Sequence, residues 1–183
     1  MRRVAFASLA LALCLMSASP ILAQCPNPID NPPNEFFVNQ QYLDFLGRNA
    51  TGSELASGVA AINSCYHAGN LACADRERLL MSRSMWDKPE FRQQSRTFGL
   101  GLANYPLLYN NGDFVRLCYY IYLQRAPNAP PDNNYDGYNF WLNSLNSCTE
   151  PERLAGRNGS ECYNQIINAF LKSTEYRSRF GCV

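Results

Sequence analysis

Residues 37–48 read FVNQQYLDFLGR, and residues 114–125 read FVRLCYYIYLQR. Both segments open on Phe-Val, carry Tyr at the sixth position and end Leu-x-Arg. INSC at 62–65 answers LNSC at 145–148, and a second cysteine follows each, Cys73 and Cys162. Glu90-Phe91-Arg92 and Glu175-Tyr176-Arg177 stand at matching places further on. An internal repeat constrains architecture before any other signal, because each copy is one folding unit. The chain is therefore expected to build two related helical units, spanning 34–97 and 113–183, joined by a connector over 98–112.

The N-terminus reads as an address. Arg2 and Arg3 precede an apolar run from Ala5 to Met16, and Ala23 offers a small residue for cleavage before Gln24. This pattern predicts a secretory signal over 1–23, too short for a membrane span. Leu22-Ala23-Gln24-Cys25 also approaches a lipoprotein cleavage box. Gln24 sits where that box takes Gly, Ala or Ser, which argues against lipidation of Cys25. A Pro/Asn-rich lead-in occupies 24–33.

Of 183 residues, 160 remain after that cleavage, enough for one domain with its own core. The signal removes two of the 16 basic residues and none of the 15 acidic ones, leaving 14 against 15. No basic stripe exists to displace counterions from nucleic acid. No other segment reaches the roughly eighteen apolar residues that a membrane span requires.

Seven of the eight cysteines belong to the mature chain. In an exported protein they are read first as disulfides. The repeat makes Cys65–Cys73 and Cys148–Cys162 the economical pairs, and Cys25–Cys182 would tie the termini. Cys118 matches Gln41 in the first copy, so no bridge is implied by symmetry. It is expected to be a buried free thiol on the apolar stripe of its helix, with an intermolecular bridge as the alternative.

Helical spacing recurs throughout, and strand-like alternation is absent, so the fold class is all-α. Val38, Tyr42, Phe45 and Leu46 share a face behind Asn34 as N-cap. Thr51-Gly52-Ser53-Glu54 is a capping box opening a helix to about residue 63. Further helices are expected over 74–85, after Asp87-Lys88-Pro89-Glu90, behind Asp113, over 138–146, behind Thr149 and from Ser160. Trp141 is expected to fill the core of the second unit.

Residues 132–137, Asp-Asn-Asn-Tyr-Asp-Gly, fit the front half of a calcium loop. Asp132, Asn134 and Asp136 would supply oxygen ligands and Tyr138 a main-chain carbonyl, with Asn143 where the bidentate Glu belongs. The same residues also make turns and caps without an ion. His67 is the sole histidine, between Cys65 and Cys73; these three form a conceivable zinc set, but export favours the disulfide. Glu90 and Glu175 are matched carboxylates, the pattern that a secreted hydrolase would need. No nucleophile elbow or phosphate loop is present. Asn49-Ala50-Thr51 and Asn158-Gly159-Ser160 fit the glycosylation sequon.

The run PDNNYDGYNFWLNSLNS, followed by AFLKSTEYRSRFG and preceded by YLQR, resembles the bacterial family called domain of unknown function 4214. QYLDFLGR with its NSC…C pair resembles the family's other common form. In the first copy Gly58 stands where the second has Trp141, and the Pro-Asp turn is missing. The resemblance covers about residues 34–95 and 112–181. It implies an all-helical module of exported or cell-surface proteins, and it carries over no catalytic residues.

The expected function is a non-catalytic extracellular module whose partner is a protein or polysaccharide. Its abundant aromatics suit a binding patch. The alternatives are a calcium-stabilised adhesion or carbohydrate-binding module, and a carboxylate-dependent hydrolase.

Overall fold

The structure is a computed structural model that describes residues 33–95 and 110–179. Cys25, Cys182, the signal segment and most of the connector lie outside those residues. The described chain is all-α. Four helices come first: α1 (Pro33–Leu46), α2 (Gly52–His67), α3 (Leu71–Asp87) and α4 (Pro89–Ser95). A second set follows: α5 (Asn111–Cys118), α6 (Asp136–Leu154), α7 (Ser160–Lys172) and α8 (Thr174–Ser178). Between α5 and α6 the helix widens into a π-helical turn, Tyr119–Leu123.

Caps explain most of the boundaries. Glu54 accepts from the Thr51 backbone N–H at 2.9 Å while Thr51 Oγ1 faces the Glu54 N–H at 3.4 Å, the reciprocal pair of a capping box. Asn70 accepts from the Cys73 N–H and starts α3 three residues earlier than the expected 74. Asn110, not Asp113, caps α5, accepting from the Gly112 N–H; Asp113 lies in the first turn. Asn34 is not a cap either. The helix already includes Pro33, and the Asn34 amide donates to Asn63 of α2 and accepts from Arg78 of α3, both at 2.7 Å.

The helix expected over 138–146 and the short one behind Thr149 are a single helix, α6, running through Pro151. Thr149 does not cap. Its hydroxyl donates back to the Leu145 carbonyl at 2.9 Å, a bond a helical threonine makes from within the helix.

The core is centred on Trp86, which is fully buried. Its ring stands edge-on to Phe45 and Phe91, each at 5.5 Å, and lies 4.6 Å from Phe114. Its indole N–H donates to Tyr122 Oη at 3.1 Å, and Ser82 Oγ lies 2.7 Å from the same oxygen. Helices of both sets thus share one core. A polar seam runs beside it. Arg179 donates to both oxygens of Asp44 at 2.7 and 3.0 Å, and to the Tyr122 carbonyl at 2.7 Å. Gln41 donates to Tyr176 Oη at 2.8 Å.

Trp141 departs from expectation. It is half-buried at the rim, 5.6 Å from Phe170, because α6 lies against the outside and fully buries only Leu145. At the matching place in α2, a Cβ on Gly58 would come within 2.9 Å of both Val38 methyls. Helices α1 and α2 are too close there for any side chain.

Cys65–Cys73 joins α2 to α3, and Cys148–Cys162 joins α6 to α7. Each closes a short loop and contributes about 3 kcal/mol in the chain-entropy view. Cys118 is free and buried, and burial pushes its thiol well above the usual range, which leaves it inert.

Trp86→Ala should cost about 3–5 kcal/mol in urea unfolding, as for a buried large aromatic. Trp141→Ala should cost on the order of 1–2 kcal/mol, in keeping with its smaller buried area. Equal losses would place both rings in the core.

Candidate functional site

The arginine closing each Leu-x-Arg segment is the hub of a charged cluster. Chain reversal puts it there. Gly47, with φ of 65°, ends α1, and Gln124, with φ of 56°, ends the π-helical turn at the matching place. Each reversal folds the next residue, Arg48 or Arg125, back over its own helix. Arg48 lies 5.1 Å from the Tyr42 ring centroid and Arg125 5.0 Å from that of Tyr119. These are the tyrosines at the sixth position of each segment.

Each guanidinium then grips the glutamate of the Glu-aromatic-Arg triplet. Arg48 donates to both oxygens of Glu90 at 2.8 and 2.9 Å, and to both oxygens of Glu54 at 2.8 and 3.1 Å. Arg125 donates through Nε and Nη2 to Glu175, the Nη2 contact being 2.9 Å, and through Nη2 to Asp132 at 2.9 Å. It also donates to the Ala129 carbonyl at 3.1 Å. The aromatic of each triplet, Phe91 or Tyr176, goes into the core. The two recurrent motifs therefore form a clamp between the first and last helices of each set.

The calcium-type loop is bound into the second clamp. Asp132 is a ligand of Arg125. Asn134 Oδ1 accepts from the Asp136 N–H at 2.8 Å, a turn that leads into α6. Asp136 is exposed in the first turn of that helix. A Cβ on Gly137 would come within 2.7 Å of Tyr119 Oη, so this glycine admits the tyrosine. Burial, with the charge of Asp132 adding to it, pushes the Tyr119 hydroxyl up to about 12. Tyr138 spends its hydroxyl on the Gly112 carbonyl at 3.3 Å. Among the described residues no cluster of three or more His, Cys, Asp or Glu is placed to hold a metal. Cys65 and Cys73 are oxidised to each other, which removes both thiolates from a zinc set, and His67 is exposed at the end of α2.

Glu90 and Glu175 are held by different arginines, and no hydrogen bond joins them. Hydrogen bonds from Arg48 keep the Glu90 carboxyl below the ordinary 4.5, and they lower that of Glu54 further. A carboxylate stabilised in this way is a poor proton donor near neutral pH.

The outer face of α6 has a different character. Residues 137–149 contain no charged side chain. Phe140 is 62% exposed and Tyr135, just before the helix, is 51% exposed. Phe140 packs edge-on against Trp141 at 4.9 Å, and Tyr135 against Tyr138 at 6.0 Å. The gap between charges is visible in the sequence; that it falls on an exposed face is not. The clamps were equally within reach, since both halves of each recur, but nothing local joins Arg48 to a glutamate 42 residues on.

Comparison of the chain with protein-family models, with curated proteins and with solved structures found no match.

Two outcomes are expected. Glu54 and Glu90 are lowered, so their contribution to stability is present above about 4.5 and is lost as pH falls through their folded values. Asp44 is raised from 3.8, chiefly by burial, and has the opposite sign: its contribution is complete below 3.8 and is lost as pH rises through its folded value. Arg48→Gln should therefore flatten the fall in urea midpoint between roughly pH 5 and 3. An unchanged acid limb would remove the clamp from the account. Asp132→Asn should cost up to about 1 kcal/mol through Arg125, while millimolar calcium leaves the wild-type melting curve in place. A melting temperature raised by calcium and lowered again by chelator would assign the loop to an ion.

Proposed function

We propose that the protein is an exported, non-catalytic module of two related helical units that binds an extracellular or cell-surface partner through the outer face of α6. The supporting observation is the contrast between that face and the charged clusters. The clamp carboxylates are engaged by arginines, whereas Phe140 and Tyr135 are held outward by rings behind them. Aromatic side chains gathered on one exposed face, rather than scattered singly, suit a binding patch. Two disulfides fit an oxidising compartment, and the signal pattern over residues 1–23 fits export. No described helix is long and apolar enough to cross a membrane. The motifs resembling domain of unknown function 4214 agree with this reading.

The test uses the oxidised mature protein, labelled and added to intact cells and matrix of the producing culture. Retention is expected, with Tyr135→Ser plus Phe140→Ser abolishing it while the melting temperature stays within about 2 °C, as for exposed sites. Retention indifferent to those changes, or turnover of a glycoside or ester panel that Glu90→Gln or Glu175→Gln abolishes, would overturn the proposal.

A further inference from the structure

We infer that the occupant of the α6 face is a neutral polysaccharide chain; this rests on the binding reading above and names its ligand class. The exposed stripe consists of Tyr135, Asn139, Phe140, Asn143, Ser144 and Ser147. Twelve steps of helical rise separate Tyr135 from Ser147, so it is about 18 Å long, a track rather than a point. Exposed protein surface is usually studded with mixed charges. The outer face of α3 follows that rule with Arg76, Glu77 and Arg83, and that of α7 with Glu161 and Lys172. The α6 stripe carries none.

The charges at its two ends bear on the sign of the ligand. Asp136 lies exposed at one end; at the other, Glu150 accepts two hydrogen bonds from Arg153, at 3.0 and 2.6 Å, so that end carries no net charge. An anionic chain would meet repulsion at Asp136 and no cation along the stripe. A cationic chain would find only Asp136 as a partner. A neutral chain suits the middle.

Hydrogen-bonding capacity points the same way. Among the described residues, the side chains of Asn139, Asn143, Ser144 and Ser147 make no hydrogen bond, so their polar atoms face water. An amide offers donors and an acceptor side by side, and a hydroxyl offers both at one oxygen. Vicinal sugar hydroxyls present the same mixture. The two rings supply apolar faces for the C–H faces of pyranose units. Both rings are fixed in advance: Phe140 rests on Trp141, which rests on Phe170, and Tyr135 rests on Tyr138, which is anchored to the Gly112 carbonyl. Little side-chain freedom is lost on binding such rings. A protein partner fits less well. The centre of a protein interface is a dry, closely packed apolar patch, whereas here amides and hydroxyls separate two rings.

Affinity electrophoresis of the oxidised protein tests this, in native gels containing hydroxyethyl cellulose, dextran, galactomannan, xylan or glycol chitin, each neutral apart from minor substitution, with alginate as the anionic control. Retardation is expected in at least one neutral gel, insensitive to added salt, and absent with alginate. Phe140→Ala and Asn143→Asp should each weaken it roughly tenfold, with melting curves unchanged, and Phe140→Tyr should retain it. No retardation in any neutral gel, retardation equal in all variants, or binding to alginate alone that salt abolishes would overturn the glycan assignment. Should protease treatment of the culture matrix, but not glycosidase treatment, remove the retention that Phe140 controls, the module stands as a binder and the glycan assignment falls.

Discussion

The hydroxyl of Tyr122 lies in the middle of an aromatic core, where an unpaired polar atom would cost several kcal/mol. It is satisfied by the Trp86 indole and the Ser82 hydroxyl, both from α3. Tyr122 itself comes from the π-helical turn, on the other side of the connector. Separating the two sets of helices would orphan the indole N–H, the phenol and Ser82 together, and would also strip Trp86 from Phe114. One cooperative core follows, although the sequence reads as two units. The residues at that centre, Ser82, Trp86 and Tyr122, are fully buried and have no surface left for anything but folding. α6 contributes one fully buried residue, Leu145, and is tied to α7 by Cys148–Cys162. Its outer face is left free.

The clamps set the entry and exit of each set of helices. A left-handed residue must follow α1 and the π-helical turn so that the arginine can fold back. Gly47 adopts that conformation at no steric cost. Gln124 does not; a side chain there costs about 1–2 kcal/mol. Its own amide offsets part of this by donating to the Ile121 carbonyl at 3.0 Å, a group the helix end leaves unpaired. The wider π-helical turn belongs to the same solution. The Arg125 backbone N–H reaches back to the Tyr119 carbonyl at 3.3 Å, and the turn points the guanidinium at both Glu175 and the Asp132 loop. One carboxylate of the calcium-type loop, Asp132, thus meets a cation already in the chain.

What was legible in the sequence follows a physical rule. Interactions close in sequence, or repeated, were readable: the Thr51 capping box, both disulfide pairs, the buried Cys118 and the all-helical class. Interactions fixed by tertiary packing were not. Periodicity identifies an apolar face but not how deeply its helix sits, so Trp141 was expected in the core and Trp86 holds it. Thr149 to Glu152 reads as the start of a new helix, yet α6 runs on through Thr149 and Pro151. The spacing of Asp132, Asn134 and Asp136 is shared by ion loops and by turns, and the contact of Asp132 with Arg125, brought over by the chain reversal, has no local signal.

The same division between inner and outer helices bears on how function resides in this fold. Helix α2 occupies the place in the first set that α6 occupies in the second, and its outer face is uncharged too, with Ala56, Ser57, Ala60, Ala61 and Ser64 exposed. It carries no ring, and Gly58 is pressed against Val38. One set therefore spends its outer helix on close packing, and the other presents aromatic rings and amides. Because those rings are braced by half-buried neighbours rather than by the core, changes at Phe140 or Asn143 are expected to have little effect on folding. At Trp86 or Tyr122 the reverse holds, since each is bound to both sets of helices. The residues that hold the shared core and the exposed rings thus lie largely on different helices.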